Sequence, residues 1–366
     1  MQPSLEQIGR RFQIEGEFFE AQRIGTGHIN DTFRAVCREG AAQKFYVLQR
    51  INQHVFHQPI EMMQNIQRVV AHCRMKLQAE GAGELDRRTL TLIPATDGGP
   101  CCRDEDGEYW RAYLYIEGAQ TNDAPETPEQ AYQAAREFGR FQRMLTDLPA
   151  PPLHDTIPHF HHGPSRFAAL QQAIETDVMN RAAECRWTID WAIQHRDWIE
   201  VLPRLAGSPE MPWRVTHNDT KFNNVLLDAA TGKALCVIDL DTVMPGLALY
   251  DFGDLARSTL SRAPEDERDL ARIDVRLDFF DALVRGYLDA TREILTSAER
   301  DHLVFSCELM TYIIGVRFLT DHLNGDAYFK IHRHSQNLDR ARAQFKLIDA
   351  IMKNEDAMKE IVARYI

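Results

Sequence analysis

The polarity pattern divides the chain into two unlike parts. Over roughly the first 117 residues, short apolar stretches alternate with glycine-bearing polar turns. "EFFEAQRI", "TFRAV" and "KFYVLQRI" are separated by "GTGHIND" and "REGAAQ", a succession that predicts strand, glycine loop, strand, turn, strand. "PIEMMQNIQRVVAHCRMKL" then sets Ile60, Met63, Ile66, Val69 and Val70 at helical spacing, with Pro59 near the start, where a helix tolerates proline. "LTLIPA" and "EYWRAYLYIEG" predict a hairpin across the charged turn "TDGGPCCRDEDG". After Gly118 the period lengthens. "TPEQAYQAAREFGRFQRMLTDL" predicts a long helix with Thr127 or the following turn as its cap. The rest reads as helical, apart from the loop-like "LPAPPLHDTIPHFHHGP" and one hairpin, "NVLLDAATGKALCVIDLD". The expected fold class is therefore α+β and bilobal. A small lobe, 1–117, carries an antiparallel sheet and a helix; a larger, mainly helical lobe spans 118–366.

The second hairpin is where chemistry concentrates. "HNDTKFNN", positions 217 to 224, leads into the apolar run "VLL", and "VIDLD" leaves the returning strand. The two ends of an antiparallel hairpin lie side by side. Asn224, just before the first strand, and Asp239, just after the second, should then face one space as a neutral and an anionic oxygen ligand. Magnesium favours such hard oxygens and completes its shell with phosphate and water. Asp219 sits on the approaching loop, where a carboxylate can accept a hydrogen bond from a substrate hydroxyl and orient it. Lys221 can face a migrating phosphoryl group. Phosphoryl transfer asks mainly for positioning and charge neutralisation, and these groups supply both.

Composition narrows the alternatives. Hydrophobic residues make up 44% and charged residues 26%, an ordinary globular mixture. The net charge of −12 argues against a general nucleic-acid binder, which needs a cationic face. Seven cysteines without a C-x-x-C spacing make a poor disulfide framework and a poor zinc site, so reduced thiols and a cytoplasmic setting are expected. "MQPSLEQIGRRF" has no apolar core of a signal peptide, and no stretch reads as an uninterrupted membrane span. Neither a membrane nor a protein partner is indicated.

"HNDTKFNN" followed by "VIDLD" resembles the catalytic and metal loops of the protein-kinase-like phosphotransferases. His217, Asp219, Lys221 and Asn224 fall in register with the H-R-D-x-K-x-x-N pattern. The aminoglycoside phosphotransferase and choline kinase group, with its H-x-D-x-x-x-x-N loop and I-D-x-D motif, is the closer match. The resemblance implies a protein-kinase-like fold, Asp219 as the catalytic aspartate, Asn224 and Asp239 as magnesium ligands, and ATP as the phosphoryl donor. "DFG" at Asp251 to Gly253 follows well after the hairpin, so Asp251 and Asp254 are expected to cap and brace a helix under the loop. Asp241 is expected either to face the metal from behind, with a role toward the substrate, or to stay solvated.

In the small lobe, Gly25 and Gly27 would let backbone approach phosphates, and Asn30 stands where a third glycine is expected, because asparagine tolerates left-handed backbone. The next strand, "YVLQRIN", lacks the cation that clamps the phosphates. Gln49 or Arg50 fills that slot, on opposite faces of the strand; an anionic triphosphate favours Arg50. The acidic helix partner is open among Glu61, Gln64 and Asn65. The backbone around Ile116, at the end of "YLYIEG", would meet the adenine.

In the large lobe, "GVRFLTDHLNGDAYFKIHRHSQNL" gathers Arg317, Asp321, Asn324, Asp326 and Tyr328. Arg317 and Asp321 are four apart on one helix face. They form either an internal salt bridge or, with Tyr328, a pocket wall suited to a sugar. "HFHH", 159–162, reads as a polar loop with Arg166 near the substrate. Trp187, Trp191 and Trp198 read as core packing. "GHINDTF", "VLQRIN", "THNDTKFNNVL", "CVIDLDTVMPG", "YDFGD" and "GVRFLTDHLNGDAYFK" together resemble the N-acetylhexosamine 1-kinases. That resemblance implies ATP-dependent phosphorylation of the anomeric hydroxyl of GlcNAc or GalNAc. The rivals are a kinase for another small alcohol, such as an aminoglycoside, choline or homoserine, and a catalytically inactive kinase-like binding module. Retention of Asp219, Asn224 and Asp239 together argues against the inactive module.

Overall fold

A computed structural model describes residues 4–24 and 29–366. The chain forms two compact units, neither continuous in sequence: Met1–Thr121 with Asp147–Pro158 and Val225–Met244, and Asn122–Thr146 with His159–Asn224 and Pro245–Ile366.

The first unit is built on an antiparallel sheet of β1 (Glu17–Arg23), β2 (Asp31–Glu39), β3 (Ala42–Arg50), β4 (Leu92–Ile93), β5 (Cys102–Arg103) and β6 (Tyr109–Leu114). Their order is β1-β2-β3-β6-β4, with β5 also on β6. Glu39 pairs with Ala42 across a two-residue turn whose Gly40 has φ +63°, a left-handed angle that glycine adopts without steric cost. Period-2 alternation builds the core. Ala35 and Cys37, Tyr46 and Leu48, and Trp110 and Ala112 cover one face, packed with Ile8, Phe12 and Ala95. Gln49 and Arg111, intervening residues and register partners, belong to the other face. The helix Pro59–Ala79 buries Met62, Met63, Ile66, Val69, Val70 and Leu77, while Ile60, expected in its apolar stripe, is exposed. Buried Asn65 ties in the distant segments: its Nδ2 donates to the carbonyls of His154 (2.8 Å) and Val243 (3.1 Å), and its Oδ1 accepts from His154 N. The second hairpin, Val225–Asp228 with Ala234–Val237, adds to Ala119–Gln120, and Arg87 pairs with its Asp228 at 2.6 Å.

The second unit is mainly helical. Pro128–Met144 starts at Thr127, whose hydroxyl accepts from Gln130 N as a helix cap should. It packs closely on Leu277–Thr291. A Cβ on Gly286 would stand 2.3 Å from the Tyr132 carbonyl oxygen. The helix Leu303–Leu323 is, by length and composition, apolar enough to cross a membrane, although Glu308, Arg317 and Asp321 interrupt its apolar run; 83% of its 18-residue window is buried inside the structure. Trp191 stacks on Phe345 at 4.4 Å as core packing requires, whereas Trp187 is exposed. All seven cysteines are free.

Candidate active site

The loop 217–224 is shaped from below by the helix Ala248–Thr259. Inside that helix, the Asp251 carboxylate accepts from the backbone N–H of His217 (2.9 Å) and Asn218 (2.7 Å), and from Gln142 Nε2 (2.6 Å). Asp254 accepts from Thr220 N at 3.0 Å and pairs with Arg257 at 2.9 Å. Thr220 Oγ1 donates to the Asp251 carbonyl at 2.6 Å. Both acids are buried and spent on the loop's backbone. Expected to cap and brace the helix, they instead sit within it and brace the loop, and they cap nothing, because the helix begins after Leu247 without a side-chain cap. The glycine of "DFG" has its own reason: a Cβ there would lie 2.2 Å from the Ser306 carbonyl oxygen. Burial pushes the Asp251 carboxyl pKa up, against the pull of His217 and the two amides.

This scaffold holds Asn218 at φ +63°, a conformation that asparagine bears better than most residues. His217 is fully buried with its ring against the edges of Phe138 and Phe141. His161 Nε2 donates to the Asn218 carbonyl at 2.7 Å, so this buried imidazole is the Nε2–H tautomer; its Nδ1 has no partner. Burial first, then Arg317, pull its pKa down to about 3, which keeps the ring neutral.

Asp219 stands on the loop with its side chain partly exposed. Lys221 Nζ lies 3.0 Å from its Oδ2, and Asn224 Nδ2 donates to its carbonyl (2.7 Å) and to Oδ2 (3.2 Å). Burial works to raise the Asp219 pKa, but Lys221, together with His217 and Arg257, outweighs it and the net shift is downward. The carboxylate is therefore ionised at neutral pH and able to accept a proton. Sequence spacing placed Asp219, Lys221 and Asn224 on one loop, and the structure brings their polar atoms into contact.

In the first unit, Val225 pairs with Val237 at the open end of the hairpin. Asp239 follows, exposed and with φ +60°. Asp241 does not stay solvated. It is 2% exposed; its Oδ1 takes a short hydrogen bond from Arg111 Nη1, and its Oδ2 accepts from Asn30 Nδ2 at 2.7 Å. Arg111 is equally buried, and its Nε donates to Gln49 Oε1 at 2.8 Å. Burial opposes the Arg111 charge, yet Asp241 more than restores it and the guanidinium pKa lies above its ordinary value. Arg111 was missed in the sequence. Its signal was a lone cation inside the apolar strand "YWRAYL", readable only once that strand is set beside β3.

The same network revises the nucleotide-clamp expectations. Asn30 is absent from the left-handed residues; its side chain bridges Asn52 N (3.0 Å) and Asp241. Arg50 pairs with its register partner Asp31 on β2, so its acidic partner comes from the next strand and not from the helix. Glu61 faces His154, Gln64 is exposed and Asn65 is pinned to backbone. Gln49 spends its amide on Thr32 and Arg111. Ile116 is buried just beyond β6. Gly25 and Gly27 lie outside the described residues.

Farther along the second unit, Arg317 and Asp321 form no salt bridge. Asp321 accepts from Tyr328 N (2.8 Å), Phe329 N (2.9 Å) and Asn337 Nδ2 (2.9 Å), which ties down the turn after the helix. Asp326 pairs with Arg181 at 2.6 Å. Arg317 lies instead over aromatic rings, 4.7 Å from the centroid of Phe160 and 5.7 Å from that of half-exposed Tyr328.

Known proteins carry the same architecture. An aminoglycoside phosphotransferase from Alicyclobacillus acidocaldarius is 14% identical, with a TM-score of 0.57 over 100% of this chain and 98% of that one. An ethanolamine kinase from Plasmodium vivax is 13% identical, TM-score 0.55, over 89% and 82%. A spectinomycin phosphotransferase solved with ADP and spectinomycin is 15% identical, TM-score 0.50, over 96% and 97%. At these identities the likeness establishes the protein-kinase-like fold. The sequence pattern of the phosphotransferase enzyme family matches residues 20–293, well over half of the chain, and the chain belongs to that family.

Proposed function

We propose that this protein transfers the terminal phosphoryl group of ATP to the anomeric hydroxyl of free GlcNAc or GalNAc, giving the sugar 1-phosphate. The observation that carries the transfer chemistry is the Asp219 loop: an ionised, partly exposed carboxylate 3.0 Å from Lys221, on backbone that Asp251 and Asp254 hold rigid. Asp219 accepts the hydroxyl's hydrogen bond and aligns its oxygen for in-line attack. The new P–O bond forms as the bond to the leaving diphosphate breaks, and the proton passes to Asp219 late. Lys221 offsets charge on the migrating group.

The residues suit magnesium. With its Nδ2 spent on Asp219, Asn224 keeps its oxygen for a cation, and Asp239 offers an exposed carboxylate. One or two such oxygens are what magnesium takes from protein when phosphates and water fill the rest. A magnesium ion held by either residue would neutralise phosphate charge. The choice of sugar and of its anomeric hydroxyl rests on the sequence resemblance carried by "GVRFLTDHLNGDAYFK" and the hairpin motifs.

The test is phosphorus NMR of the product formed from ATP and free GlcNAc or GalNAc. Coupling of the phosphorus to the anomeric proton is expected, and a methyl glycoside blocked at that oxygen should be inert. Phosphorylation of the blocked glycoside, or at the sixth carbon, would overturn the regiochemistry and leave a kinase for another alcohol.

A further inference from the structure

Trp187 lies on the helix Arg186–Gln194 but is not among the residues that helix buries. Thr188, Ile189 and Ala192 are buried and Trp191 stacks on Phe345, while Trp187 is 52% exposed. Its indole lines a cavity of about 350 Å³ together with Glu267, Arg268, Leu270, Asp339 and Arg342. The walls are that helix, the segment 267–270 and the helix Gln336–Lys353, all of the second unit. None of the six residues belongs to the loop 217–224 or to the helix Leu303–Leu323. The two acids of the cavity are already used. Glu267 is buried, accepts from Asp269 N at 2.9 Å and pairs with Arg272 at 2.8 Å. Asp339 takes a short hydrogen bond from Arg333. The two arginines are not used in this way. Arg342 spends Nε on Thr188 Oγ1 at 3.3 Å, and among the described residues no carboxylate pairs with it. Arg268 reaches only Asp339, at 4.0 Å, and an exposed pair at that separation holds a guanidinium weakly.

A half-exposed indole by itself needs no ligand. Beside two guanidinium groups with unspent donors it becomes one part of a two-part recognition surface. The indole offers a flat apolar face on which a planar ring stacks. A guanidinium offers forked N–H donors that match a carboxylate or a phosphate. The volume falls near the lower end of the range for small-molecule pockets, roughly 300–1,000 Å³, which suits a ring with its anionic group and not a macromolecular segment. We propose that this cavity is a second ligand site, for a small organic anion in which a planar ring carries a carboxylate or a phosphate. The ring stacks on Trp187, and the anion takes the unspent donors of Arg342 and Arg268. The site is independent of the transfer reading given above.

The test is calorimetric titration of the full chain with two ring-bearing anions, uridine 5′-monophosphate and benzoate, and with their halves. Uridine and benzamide keep the rings without the charge; inorganic phosphate and acetate keep the anions without the rings. At least one ring-bearing anion should bind, and its two halves should each bind at least about tenfold more weakly, the scale of one lost stacking or charge-assisted contact. Trp187→Ala and Arg342→Gln, each first checked for an unchanged melting transition, should each weaken that anion by about tenfold. Arg268→Gln, on an exposed bend, is read in the same way if either of them fails to fold. The proposal is overturned if neither ring-bearing anion binds, or if a half alone binds as tightly as the whole. Variants that bind like wild type also overturn it, because the ligand then sits elsewhere on the molecule, in the transfer site included.

Discussion

The loop 217–224 and the turn 239–242 each carry an aspartate assigned to the chemistry, and each contains a non-glycine residue at φ near +60°, Asn218 and Asp239. They are held by opposite means. The loop is gripped by anions: Asp251 and Asp254 neutralise its backbone N–H groups, which leaves the Asp219 carboxylate to Lys221 and Asn224. The turn is gripped by a cation: Arg111, buried in the sheet, takes Asp241 and leaves Asp239 exposed. In both, one acid is buried and consumed as structure while another keeps its carboxylate at least partly exposed. Which acid plays which part cannot be read from its type, because the donors that consume it lie 33 to 109 residues away for Asp251 and 130 to 211 for Asp241.

The largest expected effect separates the available acid from the structural ones. Asp219→Asn should lower kcat by roughly a hundredfold to ten-thousandfold with its melting temperature almost unchanged, as for removal of a catalytic base. Activity within a few-fold of wild type would return Asp219 to the structural class. Next comes the buried cation. Arg111→Met should destabilise the protein by about 3–5 kcal/mol in urea unfolding, because Asp241 is left charged and buried. The double change Arg111→Met with Asp241→Leu should recover most of that loss, and a double variant as unstable as the single one would show that the pair is not the reason. Asp251→Ala strands two buried backbone N–H groups and the Gln142 amide and should cost about 3 kcal/mol; its magnesium dependence should be normal in calorimetric titration with nucleotide. Asp239→Ala should show the reverse and smallest effect on folding: stability within about 0.5 kcal/mol of wild type, with the magnesium-dependent part of nucleotide binding lost. A swap of those two phenotypes would exchange the roles assigned to the turn and to the "DFG" triplet.

The sequence by itself determined the elements and the family. Period-2 runs gave the strands of the first unit, helical spacing gave Pro59–Ala79 and Pro128–Met144, and "HNDTKFNN" with "VIDLD" marked the loop and turn, because these signals are local and each needs only its neighbours. It also placed Asp219, Lys221 and Asn224 within reach of one another, since five residues of loop cannot separate them far. Only the tertiary structure decided what each charge is used for. Arg50, favoured as the free cation, is neutralised by Asp31 across a β ladder. Arg317 and Asp321, adjacent on a helix face, turn to different partners because Asp321 finds three N–H donors in the turn beyond. Arg111 and Asp241 meet only when β6 lies beside β3 and the hairpin joins the same unit. A buried charge must find a partner, and that partner is chosen by the packing of segments far apart in the chain, to which local pattern is blind.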